Sequence, residues 1–300
     1  TIFRIDYDLM RKILKIKFTM DKRRVPAAYN TKRFKENKDF FKLTLFLYAF
    51  MGFITLVPIA IAVSNIMMVI TLMLGIVLFF NALILIADFS SVILDTRDKV
   101  IIMTKPVPPK VLTIAKFIHI FRYIFLITLA ITGPSLLVLF IKFALLTSIG
   151  YSILFILFIT LEITLLTLLI IVIITLLYLG ILRFFSGETL KDIINYVQII
   201  MALFITVGYQ LAARSFKLTQ YLKPQYTPSW YQYILPPFWF GALFEVVFAR
   251  NYQTHFLILS LLGILVPVIF FTVYLRLIKT FETYLLKRNE SGRQKRFRPR

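Results

Sequence analysis

The sequence predicts an all-α membrane protein with six transmembrane helices, and three observations carry that prediction. Hydrophobic residues make up 59% of the 300-residue chain and the mean hydropathy is +0.84; soluble domains hold roughly 45–50% apolar residues. Apolar stretches such as 153–179 exceed the length of about 20 residues that a helix needs to cross a bilayer. The charge is lopsided: 35 Lys and Arg stand against 14 Asp and Glu, a net +21, and the cations gather beside the apolar stretches rather than within them. Anionic headgroups and membrane topology account for such a distribution, so nucleic acid is not an expected partner. With no cysteine there is no disulfide framework, no thiol nucleophile and no thiolate metal site.

Residues 1–40 are basic and amphipathic. Ile5, Leu9, Ile13, Ile16 and Met20 recur at helical spacing, with Arg4, Arg11, Lys12, Lys15 and Lys22 around them. Such a helix suits the headgroup plane, apolar side down and long cations reaching to phosphates. Nothing ahead of the first apolar run reads as a cleavable signal peptide. Spans are placed near 43–63, 66–93, 117–141, 148–181, 194–213 and 254–275. The very short turn around Ser64 and Asn65 makes the first two antiparallel neighbours. Pro134 predicts a kink in the third, and the fourth is long enough to require tilt or protrusion. Gly187, in the polar loop that follows it, is a plausible stop. The chain thus divides into an interfacial segment 1–40, a six-span domain 41–276 and a basic tail 277–300. It opens on Thr1 and closes in a basic run, which fits a piece of a longer polypeptide.

Orientation follows from Lys and Arg counts. With the N-terminus inside, the cytoplasmic segments carry 29 of them; the outer segments carry five, namely Lys142, Arg214, Lys217, Lys223 and Arg250. Both termini and the 95–116 loop are therefore expected in the cytoplasm. Between the fifth and sixth spans lies a long aromatic segment with both tryptophans, Trp230 and Trp239, and with Tyr221, Tyr226, Tyr231 and Tyr233. Trp and Tyr favour the bilayer interface. Pro236 and Pro237 break the segment, and the apolar run 238–248 that follows is too short to span. A helix lying in, or re-entering, the outer leaflet is predicted.

The loop 95–116, DTRDKVIIMTKPVPPKVLTIAK, is the one substantial polar interruption between two long spans. Asp95, Arg97, Asp98 and Lys99 open it, a short apolar run follows, and Lys105 leads into Pro106, Pro108 and Pro109, which forbid continuous helix. A new helix begins with Leu112, Ala115 and Lys116 in its first turns. Residue by residue this resembles the first cytoplasmic loop of type-2 ATP-binding-cassette (ABC) exporter permeases. The acidic–Arg–acidic cluster matches Asp95, Arg97 and Asp98; the proline turn matches Pro106, Val107 and Pro108; the small residue and Lys match Ala115 and Lys116. Thr96 inside the cluster and Pro108 in place of a common Ser are departures. The order of spans extends the resemblance over nearly the whole chain.

The resemblance implies a permease subunit of a bacterial-type cytoplasmic membrane, acting as a dimer of six-span units or as half of a twelve-span chain. The 1–40 helix would be its elbow helix. A separate ABC ATPase would dock on Asp95, Arg97, Asp98, Lys105, Pro106 and Pro108 and hold the ATP and Mg, leaving this chain without a cofactor. In agreement with that division of labour, no G-x-x-x-x-G-K-[ST] occurs, nor any H-E-x-x-H or G-x-S-x-G. Two other readings use the same features. A membrane scaffold would hold a partner with the same loop. A secondary transporter would need polar, broken mid-membrane helices and internal repeats, which the sequence does not clearly display.

A few polar residues fall inside spans. Glu162 interrupts the fourth, where a carboxylate is costly unless protonated, paired or facing a cavity. It fits a translocation path or an inter-span lock, and equally a hydrogen-bonded packing residue. Asn81 suits a hydrogen bond to a neighbouring helix better than a substrate contact. Asp88, with His119 and Arg122 early in the third span, suggests an ion pair between Asp88 and Arg122 beside the loop; snorkelling of Arg122 to lipid is the other reading. His119 and His255 are expected on opposite sides of the membrane, which argues against a shared metal site.

Overall fold

In a computed structural model, the described residues are 7–23, 40–92, 109–184 and 228–296, with four isolated positions between 196 and 203. All regular structure among them is helical: α1 (Tyr7–Arg23), α2 (Phe40–Ala62), α3 (Ile66–Val92), α4 (Pro109–Leu146), α5 (Ile149–Phe184), a 3-10 turn (Trp230–Tyr233), α6 (Pro236–Val247) and α7 (Thr254–Arg296). Five stretches are long and apolar enough to cross a membrane: Phe40–Ala62, Ile66–Ile86, Phe117–Leu146, Ile149–Leu177 and Thr254–Arg276. They coincide with five of the six expected spans. The remaining one, 194–213, lies outside the described residues, apart from those isolated positions.

These five stretches are apolar nearly all round, so burial alone does not dictate which face points inward. Phe46, Phe50, Phe53 and Ile61 of α2 stay exposed, a surface suited to acyl chains. The inward faces meet in one continuous core of residues such as Leu56, Ile70, Leu74, Ile127, Ile131, Phe155, Ile163 and Phe240. The most extensive helix pair is α2 with α4. Their backbones come together at Gly52, where a Cβ would fall on the carbonyl oxygen of Ile131.

Three short turns share one end of the bundle. Between α2 and α3, Asn65 Oδ1 accepts the Met68 N–H at 3.1 Å, capping α3 in the way Asn favours. The last carbonyls of α2 are met from α4: Lys142 Nζ donates to Val63 O at 2.8 Å and Ala60 O at 3.2 Å. A cation there also complements the negative end of the α2 dipole. Lys142, counted above only as an outer charge, therefore ties two turns together. Thr147 and Ser148 separate α4 from α5, with the Ser152 N–H returning to Ser148 O at 3.0 Å. The turn from α6 to α7 passes through Arg250 at φ 53°, steadied by the Asn251 N–H on Glu245 O at 2.9 Å.

At the other end α1 packs on α4 and α2. Met10 and Ile13 are buried against Val111 and Ala115 of α4, with Leu9, Leu14, Ile114 and Ile118 around them. The face that turns inward is thus Met10, Ile13 and Lys17, while Ile16, assigned above to the apolar stripe, is 44% exposed. α1 carries apolar residues around much of its circumference, and the contact with α4 selects among them. α4 continues through Pro134 without interruption, and α7 runs as one helix to Arg296, through most of the basic tail.

Candidate functional site

α6 is the element least like a span. Its 12 residues rise about 18 Å, well short of the roughly 30 Å hydrocarbon core. Yet Trp239 to Phe244 are six consecutive buried residues, so α6 does not lie on a surface. It is wedged between α3 and α7, and glycines make room on each side. A Cβ on Gly241 would meet Thr71 Oγ1 of α3, Gly75 of α3 lies under the ring of Pro237, and Gly263 of α7 faces the backbone of Trp239. Gly75 and Gly263 sit well inside their helices, whereas Phe248 meets Phe143 and Tyr151 edge-to-face at the turn end. α6 therefore starts deep and rises to the turn end, a re-entrant arrangement. Non-helical backbone at membrane depth is tolerated where protein covers it.

The descending limb is tethered by side chains. His255, in the first turn of α7, has Nε2 at 2.8 Å from Gln232 Oε1 and Nδ1 at 2.7 Å from the Tyr233 hydroxyl. An amide oxygen can only accept, so Nε2 carries the proton and Nδ1 accepts from Tyr233. Gln232 Oε1 also accepts the Ser229 N–H at 3.2 Å, and Trp239 Nε1 donates to Tyr233 O at 3.0 Å. Tyr233 and Trp239, aromatic types that favour the bilayer interface, thus hold the hairpin's shape. Nothing local in the sequence links Gln232 and Tyr233 to His255.

A polar seam runs through the bundle between α3, α4 and α5. On α4, Thr128, Thr132 and Ser135 are fully buried at successive positions of one helix face. Each donates its hydroxyl hydrogen to its own helix: Thr128 to Ile124 O at 2.8 Å, Thr132 to Thr128 O at 2.8 Å and Ser135 to Thr132 O at 2.7 Å. Thr128 Oγ1 also lies 3.0 Å from the Asn81 amide of α3. A hydroxyl has one hydrogen, and Thr128 has spent it, so the Asn81 NH2 belongs on this contact and its carbonyl oxygen on the other side. Asn81 thus does what its residue type suggests, bridging neighbouring helices. Ser135 Oγ lies 3.2 Å from Met73 Sδ of α3.

Glu162 sits on the buried stripe of α5 with Phe155, Ile159 and Leu166. It is 1% exposed and neither carboxyl oxygen has a hydrogen-bond partner among the described residues. The sequence had singled it out for its charge; the three hydroxyls facing the seam were missed. Their spacing, i, i+4 and i+7 within an apolar span, is the signal that could have found them.

The expected docking residues Asp95, Arg97, Asp98, Lys105, Pro106 and Pro108 lie outside the described residues, as does the side chain of Asp88. Arg122 is exposed, with its guanidinium carbon 3.9 Å from the centre of the Phe18 ring of α1. His119, buried on the same helix, has its ring 5.7 Å from that of Phe18. The α4 residues expected beside the loop thus fasten α1. The described residues contain no group of three or more His, Cys, Asp or Glu able to hold a metal. Compared with known proteins, the chain matches no family model, no characterised protein and no solved structure.

Proposed function

We propose that this chain is the membrane-spanning permease subunit of a type-2 ABC exporter, working with a separate ATPase and a second permease copy or half. The observation that carries the reading is the half-length, protein-covered helix α6 rising between α3 and α7 immediately before the last span. This is where that family places its short outer-leaflet helices, and it stands at the opposite end of the bundle from α1. In this reading 194–213 supplies the fifth of six spans, both termini are cytoplasmic, and α1 is the elbow helix.

The packing suggests how force would travel. α4 begins at Pro109, directly after the last proposed docking residue, Pro108, and its first turns are joined to α1 through Met10, Ile13, Val111 and Ala115. A load on the loop would move α1 and the foot of α4 together. α4 in turn carries α2, through the close approach at Gly52, and the turn end, through Lys142. Closure of two ATPases would thereby rock the spans between inward- and outward-open states. The chain's own part is mechanical, since the family puts the hydrolytic residues on the partner.

The reading requires the 95–116 loop to share a side with ATP. The chain has no native cysteine, so single cysteines report cleanly. Ser64→Cys and Gln225→Cys are expected to react with an impermeant thiol reagent in intact cells, and Thr104→Cys is expected to react only after lysis. Labelling of Thr104→Cys from outside would remove the reading, because no cytoplasmic ATPase could reach the loop.

A further inference from the structure

We propose that the seam between α3, α4 and α5 is a binding site for a primary ammonium group on an otherwise apolar molecule, with Glu162 as its counter-charge. Calling that molecule the exported cargo rests on the permease reading; the site itself does not.

The chemistry of the lining points to the ligand. Thr128, Thr132 and Ser135 have each committed their hydrogen to a carbonyl of their own helix, so what they present to the seam is lone pairs. The Asn81 amide, with its NH2 toward Thr128, adds a carbonyl oxygen, and Glu162 adds two carboxyl oxygens with no donor opposite them among the described residues. The seam is therefore rich in acceptors and poor in donors. An ammonium group is the complement, with three donors, no acceptor and a positive charge.

Helix register brings Glu162, Ser135 and Thr132 to within about one turn of the same depth, with Thr128 and Asn81 about two turns further along the seam. Phe155 of α5 stacks on Phe143 of α4 with ring centres 4.3 Å apart, and the two helices are antiparallel about a short turn. About two turns further from that turn lie Ser135 on α4 and Glu162 on α5. Two turns also restore the direction of the side chain, so Glu162 repeats the heading of Phe155, toward α4 and toward Phe244 of α6. Ser135 is level with Met73 of α3.

The bundle is closed over the seam in this conformation, and α4 holds the means to open it. Gly133 and Pro134 stand between Thr132 and Ser135. A side chain on Gly133 would meet nothing within 4 Å, and Pro134 cannot donate to the carbonyl four residues earlier. A bend at this pair would part α4 from α5 at the depth of Glu162.

The test is native mass spectrometry of the purified full chain with three probes of one chain length: octylammonium, octyltrimethylammonium and octanoate. One octylammonium is expected to bind saturably per chain. Octyltrimethylammonium, which keeps the charge but has no N–H, should bind about tenfold more weakly or worse, and octanoate should not bind saturably. Glu162→Gln keeps the shape and should weaken octylammonium binding by a similar factor; Thr132→Val, which removes one acceptor, should weaken it less. The comparison of probes on the unaltered chain stands even if a variant fails to fold. Equal binding of all three probes, unchanged affinity in Glu162→Gln, or no saturable octylammonium binding would each overturn the proposal. Ammonium binding by a chain with no ATPase partner would keep the site and remove the permease reading. An ATPase partner with no ammonium binding would do the reverse.

Discussion

A Gly52→Ala chain is expected to unfold at a much lower temperature than the native one, while Gly133→Ala should match it or exceed it. Both substitutions add a single methyl group to a glycine in a membrane helix. By helix propensity alone each should help, since Gly is about 1 kcal/mol less favourable than Ala in a helix interior. At position 133 nothing opposes that gain, because the added carbon meets open space. At position 52 it would land on the Ile131 carbonyl oxygen, with the carbonyl carbon and Cα of Ile131 close behind. These are backbone atoms of a helix, so no rotamer change can relieve the clash, and α2 must move away from α4. Overpacking typically costs about 1–3 kcal/mol, and the rigidity of the obstacle points to the upper part of that range. The affected contact is the most extensive in the bundle. Thermal unfolding of the detergent-solubilised variants, followed by helical circular dichroism, gives the comparison. Equal stability of Gly52→Ala and the native chain would mean that α2 and α4 do not approach this closely.

The second large effect is expected at the 95–116 loop, proposed to dock the ATPase. Asp95, Arg97 and Asp98 are exposed to water in an isolated subunit if they act as proposed, and become partly desolvated against charges of an ATPase on assembly. Truncating one member of a buried interfacial charge pair costs about 2–5 kcal/mol, whereas an exposed loop charge is worth at most about 1 kcal/mol. The Arg97→Ala/Asp98→Ala double variant is therefore expected to reach the membrane in normal amounts yet retain little ATPase, or hydrolyse ATP without coupling to transport. Full retention with normal coupling would reduce the stretch to an ordinary connection.

What could be read from the sequence is what depends on local composition. Five spans were legible because each is a long apolar run, and the half-length α6 was legible because Pro236 and Pro237 cut it from what precedes it. The position of α6 was not, since the contacts that fix it join Gly241 to Thr71, Pro237 to Gly75 and Trp239 to Gly263, residues whose pairing no local pattern records. Which residues of α1 pack on α4 was not legible for a related reason. Leu9, Met10, Ile13, Leu14 and Ile16 allow more than one apolar stripe, and only Val111 and Ala115 of α4 decide that Met10 and Ile13 go in while Ile16 stays out. For the seam, Glu162 and Asn81 were visible as polar residues in apolar surroundings. The hydroxyls of Thr128, Thr132 and Ser135 were not, because Ser and Thr are common in membrane helices and their meaning appears only when their hydrogens are traced.

The central claim, that this chain is the membrane half of an ATP-driven exporter, is tested most directly by purifying the tagged chain from its native membrane in mild detergent and measuring Mg-ATP hydrolysis in the eluate. The account predicts a co-purifying protein that carries G-x-x-x-x-G-K-[ST], present in amounts comparable to the tagged chain, with ATP turnover that falls with the Arg97→Ala/Asp98→Ala variant. A chain recovered in good yield and correctly folded, with no such protein and no ATP turnover, would contradict it.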